Sequence, residues 1–349
     1  MSGGVDSSVC AYLLKKQGYD VIGVTMQIWQ PDDSIAEREG SCCGISAVTD
    51  ARRVAGQLDI PYYVMNFREE FKKYVTDPFI EEYMRGRTPN PCIVCNRYLK
   101  WGELLKRSRE LGADYIATGH YAQILQLDNG RYTIKKSESD TKDQTYVLYN
   151  LTQDQLAHTL MPVGSYEKTE IRRIAQEAGL SVAHKKDSQD ICFVNDGNYA
   201  DFIRTNTGSS GTEGNFVTAD GEIIKRHEGT VNYTIGQRKG LGIALGHPVY
   251  VNDINVETGD VCVGEEDVLF KTTLTADSIS HMGAERFDEN ERYTAKIRYS
   301  QNSVPCHVRY TDDDRIEVEF ERPVRAATPG QAVVIYKDDW IAGGGTICR

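Results

Sequence analysis

The sequence predicts an α/β protein in which an N-terminal domain with a parallel sheet precedes a small β-rich central domain and a C-terminal antiparallel β-barrel. Before Ser209, short apolar runs alternate with helical patterns, which is typical of a parallel sheet with helices on both faces. From Ser209 onwards glycine is frequent and apolar residues alternate with polar ones, which favours an antiparallel barrel or sandwich. We place the three domains at 1–203, 204–270 and 271–349.

The elements of the N-terminal domain follow from where each apolar pattern begins and ends. A helical pattern stops at Gly18, and the next run, VIGVTMQIW, has the length and the β-branched residues of a buried strand. The runs YYVMNF and DYIATGH repeat this strand signal after amphipathic stretches. The predicted helices are 9–16, 46–58, 98–111, 153–160 and 168–178, and the predicted strands are 21–29, 62–67 and 114–120.

Turn residues divide the C-terminal part of the sequence into strands. SSGTEGNF, at 209–216, has the composition of a linker or turn. Further along, runs of alternating apolar and polar residues are separated by turns such as the three consecutive aspartates at 312–314. These runs predict strands at 293–300, 304–311, 315–321 and 331–337.

Length and composition bound the class of protein. A chain of 349 residues is long enough for two or three domains, and 40% hydrophobic with 26% charged residues is ordinary for a globular protein. No apolar run approaches the roughly 20 residues of a membrane span, and no secretion signal is visible. Nine cysteines, an odd number in a long chain, fit a reducing compartment better than a disulfide framework. We therefore expect a cytoplasmic protein without membrane contact.

The net charge of −11 argues against a protein that binds nucleic acid over most of its surface, because phosphates are bound through lysine and arginine. The charge is uneven along the chain. Basic and acidic residues nearly balance in 1–200 and in 271–349, whereas 201–270 is the most acidic part. A local basic face is compatible with the acidic total.

The first residues, MSGGVDSSV, lead directly into a helical pattern. Glycines let backbone N–H groups approach an anion, and the helix N-terminus adds a favourable dipole. Ser7 or Ser8 can add a hydroxyl donor, and Asp6 can hold Mg²⁺ or cap the helix. No lysine follows, so the stretch differs from the common GxxxxGK[ST] phosphate loop. The simple alternative is a capped helix start, but the whole SGGVDSS pattern favours a phosphate site.

Three cysteines form the second candidate site. Cys92 and Cys95 lie three apart in NPCIVCN, and Cys192 follows about a hundred residues later in KKDSQDICF. A structural zinc site is a weak interpretation, because a second CxxC is missing. A redox pair would leave Cys192 as an ordinary buried cysteine. The third interpretation joins all three thiols in a sulfur-transfer site.

Six blocks spread over nearly the whole sequence resemble one family. SGGVDSS resembles the pyrophosphate-binding loop of the ATP pyrophosphatase (PP-loop) superfamily, which has the adenine nucleotide alpha-hydrolase-like fold. Six further blocks resemble the tRNA-specific 2-thiouridylases and occur in the order that this family has. They are TPNPCIVCN, ATGHY, KDQTYVLY, KKDSQDICF, NYTIGQRKGLG and TPGQAVVIY. The resemblance implies ATP-dependent thiolation of the wobble uridine of tRNA at C2. It also implies Mg²⁺ with the ATP, a tRNA anticodon arm as substrate, and a sulfur-relay protein or cysteine desulfurase as sulfur donor.

The resemblance also implies residue roles. It makes Cys95 the nucleophile and Cys192 the carrier of the persulfide. The implied ATP-binding residues are Ser2, Gly3, Gly4, Val5, Asp6 (with Mg²⁺), Ser7, Ser8, Met26 and Gly119. The implied tRNA-binding residues are Asn90, Pro91, Cys92, His120, Lys142, Asp143, Gln144, Arg298, Tyr299 and Gln331.

The sequence departs from the family pattern at two places. Some family members have aspartate where this chain has Cys92, and a carboxylate there is a plausible acid–base aid. Related tRNA sulfurtransferases use three cysteines to hold a [4Fe–4S] cluster, so Cys92, Cys95 and Cys192 form an alternative cluster site. The family fold also has a strand before the loop, which the sequence as given lacks, so we expect that first strand to be absent.

Two other functions stay open at this point. Another AMP-forming PP-loop enzyme, acting on a small molecule, would need the loop but not Cys95 together with Cys192. A non-enzymatic RNA-binding protein with a decayed ATP site is the third class. The vicinal pair Cys42–Cys43 has no functional interpretation.

Overall fold

A computed structural model describes residues 1–28, 45–139, 141–187, 191–194, 198–312 and 314–349. Contacts divide the chain into two units, each described here by itself. The first unit comprises Met1–Val75, Cys92–Gly197 and Asp339–Ile341, and the second comprises Thr76–Pro91, Asn198–Asp338 and Ala342–Arg349. Trp29 and the Cys42–Cys43 pair lie outside the described residues.

Helices concentrate in the N-terminal half. Two stretches with wider π-type turns, Lys72–Thr76 and Cys95–Leu104, continue neighbouring helices. Among the described residues, the α-helices are α1 Val5–Lys16, α2 Ile45–Gln57, α3 Arg68–Phe71, α4 Asp77–Met84, α5 Pro91–Val94, α6 Leu105–Glu110, α7 Gln153–Ala157, α8 Lys168–Glu177 and α9 Tyr199–Thr207. Each of them is too short or too polar to traverse a lipid bilayer.

Strands dominate the C-terminal half. In the described part of the chain they are β1 Gly23–Gln27, β2 Tyr62–Asn66, β3 Ile116–Ala117, β4 Ala122–Gln126, β5 Tyr132–Lys136, β6 Thr159–Leu160, β7 Gly214–Val217, β8 Ile223–His227, β9 Tyr250–Ile254, β10 Val261–Gly264, β11 Phe270–His281, β12 Tyr293–Lys296, β13 Val304–Asp312, β14 Arg315–Arg325, β15 Ala332–Lys337 and β16 Trp340–Ile347.

The first unit contains the predicted parallel strands. β1 pairs with β2 in parallel, and β3 pairs in parallel with β6. The predicted helix 153–160 is wrong at its end, because Thr159 and Leu160 form β6 instead. The antiparallel hairpin of β4 and β5 was not predicted.

Helix α1 anchors the core of the first unit. Its apolar side chains, including Val9 and Leu13, pack in one buried cluster with Ile171 and Ala175 of α8. Asp6 in the first turn and lysines in the last turn both match the helix dipole. Gly18, just past the end, has φ +91°, a conformation that ends a helix at little cost in glycine.

The second unit contains two β structures. Strands β7 to β10 form a four-stranded sheet in the order β8-β7-β10-β9, packed on a core that includes Phe216 and Val251. Strands β11 to β16 form an antiparallel barrel in the order β11-β14-β13-β12-β15-β16. The barrel closes because β11 pairs with both β14 and β16. The predicted sequence of a parallel-sheet domain, a small β-rich domain and a barrel is confirmed.

Candidate active site

The loop before α1 is built by glycines that admit close packing. Gly3 has φ +66°, and a Cβ at this position would lie 2.4 Å from the carbonyl oxygen of Ala47. Gly4 is the N-cap of α1 in extended conformation, and no side chain caps the helix there. The simple interpretation of a helix start capped by Asp6 or a serine is therefore wrong. The uncapped N–H groups of the first turn, which carry partial positive charge, can bind an anion.

The three serines of the loop have different surroundings. The Ser8 side chain is fully buried and its hydroxyl donates to the carbonyl oxygen of Gly4 at 2.8 Å. Ser7 is partly buried, and its Oγ accepts a hydrogen bond from the Ser2 amide at 3.1 Å. The hydroxyls of Ser2 and Ser7 are 3.1 Å apart. Ser2 and Ser7 thus present the hydroxyls that an anion above the loop could reach, whereas Ser8 holds the loop together.

The chain after β3 packs against the same loop. A Cβ at Gly119 would lie 2.6–2.8 Å from backbone atoms of Asp6 and Ser7, so only glycine fits there. Met26 lies in β1, where it is partly buried and pairs with Met65 of β2. Val5, the first residue of α1, is buried in the core.

His120 follows Gly119 and is partly buried. Its Nδ1 lies 2.8 Å from the hydroxyl of Thr118, and its ring lies 5.6 Å from the ring of Trp101. Burial, with a smaller contribution from the charge of Lys100, lowers the pKa of His120 well below its usual value. The imidazole is therefore neutral at physiological pH and can offer a hydrogen bond or a ring face, but not a charge.

Asp6 is engaged by two side chains that the sequence did not single out. Lys168, the first residue of α8, places its Nζ 2.7 and 2.9 Å from the two carboxylate oxygens of Asp6. The buried Tyr121 hydroxyl donates to the same carboxylate at 2.8 Å. Burial and the negative charge of Asp6 raise the pKa of Tyr121 above its usual value, which keeps the hydroxyl protonated as a donor.

A second carboxylate, Asp187, shares this cluster. Its Oδ1 lies 2.9 Å from Nζ of Lys168 and 3.0 Å from Nη2 of Arg172. Its Oδ2 accepts from Lys142 at 3.0 Å. Burial opposes ionisation, but the hydrogen bonds from Lys168 and Lys142 lower the pKa of Asp187 below its usual value. Three cations thus surround one carboxylate beside a loop suited to anions.

Lys185 makes a further contact between the same segment and the loop. Its Nζ donates to the carbonyl oxygen of Gly3 at 3.1 Å and to Asp50 at 2.8 Å. Lys142, Lys168 and Lys185, from three distant parts of the sequence, therefore lie in one cluster beside the loop before α1. Neither their spacing nor their neighbours in the sequence indicates this gathering, although Asp187 and Lys185 belong to the quoted KKDSQDICF block.

The helix that begins at Pro91 carries two of the three candidate cysteines. Proline suits the first position of a helix, where its missing N–H costs nothing. Cys92 is exposed, and Cys95, half-buried, is the first residue of the π-type stretch. Residues three apart lie on the same side of a helix, so both thiols share one side. Asn96 anchors this stretch by donating to the carbonyl oxygen of Val147 at 2.9 Å.

Cys192 lies in the short described stretch 191–194 and is half-buried. Its neighbour Phe193 is buried, with its ring edge-to-face on Phe71 at 5.7 Å. No group of three or more His, Cys, Asp or Glu side chains in the described part of the chain is arranged to hold a metal ion. Cys92, Cys95 and Cys192 thus do not form a metal-binding group among the described residues, and the [4Fe–4S] alternative stays a prediction. Asp6 offers Mg²⁺ one carboxylate, the kind of ligand that this ion takes together with substrate phosphates, provided that the ion displaces the Lys168 ammonium from it.

The segment 142–144, expected to contact tRNA, also has contacts within the first unit. Lys142 pairs with Asp187. The Asp143 carboxylate accepts from the amide and hydroxyl of Thr145 at 3.3 and 2.9 Å. The Gln144 side chain accepts from the amide of Tyr121 at 2.9 Å. These contacts hold the segment in place beside the residues after β3.

The second unit brings four other candidate residues into one cavity of about 180 Å³. Arg298 donates through Nη2 to the carbonyl oxygens of Ile235 and Ala326 and to the Thr328 hydroxyl. Tyr299, beside it, is 44% exposed. The cavity is lined by Thr88, Asn90, Thr234, Arg298, Tyr299, Ser300 and Gln331. Thr88, Thr234 and Ser300 were not predicted as site residues, although Thr88 and Thr234 lie in the quoted blocks TPNPCIVCN and NYTIGQRKGLG and Ser300 follows Tyr299.

Comparisons with known proteins cover nearly the whole chain. Residues 1–196 match a family model described as the tRNA methyl transferase HUP domain. Residues 200–265 match the tRNA methyl transferase PRC-barrel domain, and residues 271–347 match the aminomethyltransferase beta-barrel domain. These matches have the same order as the three predicted regions.

Curated relatives are similar over their full lengths. The chain is 59% identical to a tRNA-specific 2-thiouridylase MnmA of Lachnoclostridium phytofermentans, over all of this chain and 98% of the relative. It is 55% identical to proteins of the same name from Clostridium beijerinckii and Clostridium perfringens. Those two matches cover 99% of this chain and 97% and 96% of the respective relatives.

Proposed function

Since the chain belongs to the family of tRNA-specific 2-thiouridylases, we propose that it catalyses the ATP-dependent 2-thiolation of the wobble uridine of tRNA. The observation that carries this proposal is the full-length similarity to relatives with that name. The loop before α1 supports it, because an uncapped helix N-terminus beside three lysines suits the phosphates of ATP. A synthetase that acts on a small molecule has no comparable support.

The first step makes the C2 oxygen of uridine a good leaving group by transferring AMP to it. Residues 2–8 bind the phosphates through backbone N–H groups and the hydroxyls of Ser2 and Ser7. Met26 and Gly119 line the adenine side. Asp6 would hold the Mg²⁺ that accompanies ATP, and this ion would supply positive charge next to the pyrophosphate. Pyrophosphate is released as the adenylated base forms.

The second step delivers sulfur. A sulfur-relay protein or a cysteine desulfurase first loads Cys192 as a persulfide. The terminal sulfur attacks C2 of the adenylated base and AMP departs with the electrons of the C2–O bond. The Cys95 thiolate attacks the bridging sulfur of the persulfide, so the S–S electrons pass to the transferred sulfur and a Cys95–Cys192 disulfide forms. A cellular thiol reduces this disulfide before the next cycle.

The tRNA is bound by residues of both units. In the second unit, Asn90, Arg298, Tyr299 and Gln331 line a cavity whose exposed aromatic ring and amides suit an unstacked nucleotide. Pro91 of the second unit, and Cys92, His120 and residues 142–144 of the first unit, contact the anticodon arm. The target base leaves its stack to reach the thiols, as bases do in enzymes that modify them. We propose that the catalytic domain comprises residues 1–203, the central domain 204–270 and the C-terminal barrel 271–349.

The decisive experiment is mass spectrometry of nucleosides from unmodified tRNA incubated with the protein, MgATP and a persulfide donor. We expect 2-thiouridine at the wobble position, dependent on ATP and absent with Cys192→Ser. ATP-dependent modification of another base would contradict the proposal. So would the absence of 2-thiouridine under conditions in which a relative from the family produces it.

A further inference from the structure

Two tyrosines at the surface of the first unit stack on each other near a candidate thiol. The ring centroids of Tyr74 and Tyr98 lie 5.6 Å apart, and the two ring planes make an angle of 15°. Tyr98 is 41% exposed and follows Cys95 by three residues in the same π-type stretch. Burial in a core does not account for the Tyr98 ring, which presents aromatic surface to solvent close to Cys95.

Each of the two rings has a cation over it. The Nζ of Lys73 lies 4.8 Å from the ring centroid of Tyr74, and the Cζ of Arg97 lies 5.3 Å from that of Tyr98. Within the described part of the chain, neither cation forms an ion pair with a carboxylate. Their positive charge is therefore available to an anion. We call Lys73, Tyr74, Arg97 and Tyr98 the aromatic platform.

Buried neighbours hold the two halves of the aromatic platform in place. Phe71 and Val75 are buried on one side of the stack, and Asn96 and Leu99 are buried on the other. The exposed rings and cations thus project from two segments that are anchored in the interior. A surface that is ordered before binding loses little further conformational entropy when a ligand stacks on it.

We propose that the aromatic platform binds an unpaired nucleotide next to the wobble uridine in the anticodon loop of tRNA. The base stacks on Tyr98, and Lys73 and Arg97 contact phosphates. The inference rests on the proposed function, which brings the target uridine to Cys95. Aromatic rings combined with basic side chains are the means by which proteins hold single-stranded nucleic acid. An acidic protein partner would match the two cations but would leave the exposed ring without a flat partner.

The test is a double-mutant cycle between the protein and the RNA, measured by fluorescence anisotropy with the full chain. The probes are a labelled anticodon stem-loop RNA and two forms of it, each lacking the base on one side of the wobble uridine. We expect Tyr98→Ala to weaken binding of the intact RNA about tenfold. With one of the two abasic RNAs, the same substitution should weaken binding less than about twofold, because the stacking partner is missing.

Two further variants separate stacking from other effects. Tyr98→Phe should retain the affinity for the intact RNA, because the ring and not the hydroxyl provides the stacking. Tyr19→Ala is the matched control, since Tyr19 is 45% exposed and lies beyond the C-terminal end of α1. Tyrosine carries no charge, so its removal leaves the electrostatic attraction of the RNA unchanged. Melting temperatures establish that each variant is folded.

The outcomes distinguish this inference from the proposed function. An equal loss for all three RNAs, or no loss for any of them, in a folded Tyr98→Ala protein overturns the inference and leaves the proposed function standing. Unchanged RNA affinity together with slower persulfide transfer to Cys192 also overturns it and assigns the aromatic platform to the sulfur donor. Failure of the unaltered chain to bind the intact RNA overturns the proposed function, and the inference with it.

Discussion

Gly119 lies so close to Asp6 that a side chain cannot fit between them. A Cβ at Gly119 would be 2.6 Å from the carbonyl carbon of Asp6 and 2.7 Å from the amide nitrogen of Ser7. Both atoms belong to the backbone of the first turn of α1, so the neighbour cannot rotate away. The residues after β3 thus pack directly against the loop. The shape of the loop therefore depends on a residue more than a hundred positions away in the sequence.

Gly119→Ala tests this support. We expect the added methyl group to push the first turn of α1 out of position, at a cost of about 1–3 kcal/mol, and to weaken MgATP binding about tenfold or more. Calorimetric titration of the full chain measures the affinity. Gly56→Ala is the control, because Gly56 is helical and a Cβ there meets nothing within 4 Å. Equal affinity of the Gly119→Ala and unaltered proteins would show that the loop does not need this contact.

Tyr299→Ala tests the cavity of the second unit. The ring is 44% exposed, so its removal should leave the melting temperature unchanged. Stacking on one base contributes about 1–3 kcal/mol, so we expect about a tenfold or greater loss of affinity for an anticodon stem-loop RNA. Tyr299→Phe should retain most of the affinity. Fluorescence anisotropy with labelled RNA gives both values. If Tyr299→Ala bound the RNA with unchanged affinity, the cavity would not be part of the RNA interface.

Arg298→Ala should behave differently from Tyr299→Ala. Arg298 joins Ile235, Ala326 and Thr328 by hydrogen bonds, so its loss should lower the melting temperature as well as RNA affinity. MgATP affinity in the absence of RNA, which depends on the loop of the first unit, should change little. Calorimetric titration with MgATP alongside thermal melts checks this. A parallel loss of MgATP binding and RNA binding in a folded protein would contradict the assignment of Arg298 to the RNA side.

Serine substitutions separate the roles of the three cysteines. Cys95→Ser and Cys192→Ser should abolish 2-thiouridine formation while ATP–pyrophosphate exchange continues, because neither thiol is needed for adenylation. Cys92→Ser should retain most of the thiolation, since Cys92 contacts tRNA but neither carries nor releases sulfur in the persulfide route. Nucleoside mass spectrometry and iron analysis after anaerobic reconstitution provide the readouts. Loss of thiolation in Cys92→Ser together with about 4 Fe per chain would favour the cluster instead.

Local patterns predicted most of the first unit and the barrel. The apolar spacing of 9–16 and the run 62–67 led to α1 and β2 with small errors at their ends. The hairpin of β4 and β5 was missed although Asn129-Gly130 between two alternating runs is a strong hairpin signal. In 153–160 the helical pattern was extended too far, because parallel pairing with β3 turns Thr159 and Leu160 into a strand.

Only part of the candidate site could be predicted from the sequence. The glycines of the loop and the cysteines follow from short motifs with known chemistry. Lys168 does not, because its role as partner of Asp6 arises from a contact across 162 positions. The sequence showed that the loop lacks its own lysine, and the fold supplies one from the start of α8. Contacts of this kind depend on the packing of α1 against α8 and have no local signature.

The neutral state of His120 predicts how stability depends on pH. Burial lowers the pKa of His120 in the folded chain, whereas the unfolded chain binds a proton near pH 6.5. The unfolded state therefore gains protons first as the pH falls, and stability decreases below pH 6.5. Between pH 7.5 and 5.5 this residue should account for a loss of about 1.4 kcal/mol in the free energy of unfolding.

Urea unfolding at pH 7.5 and 5.5 measures this contribution. His120→Gln, which can still hydrogen-bond the Thr118 hydroxyl, should lose about 1.4 kcal/mol less than the unaltered chain over that interval. His247→Gln, at an exposed histidine, is the matched control for the removal of one imidazole. Because the imidazole is neutral on both sides of pH 7, RNA affinity should depend on pH equally in the His120→Gln and unaltered proteins. Parallel stability curves for these two proteins would mean that the folded His120 binds a proton as readily as the unfolded one.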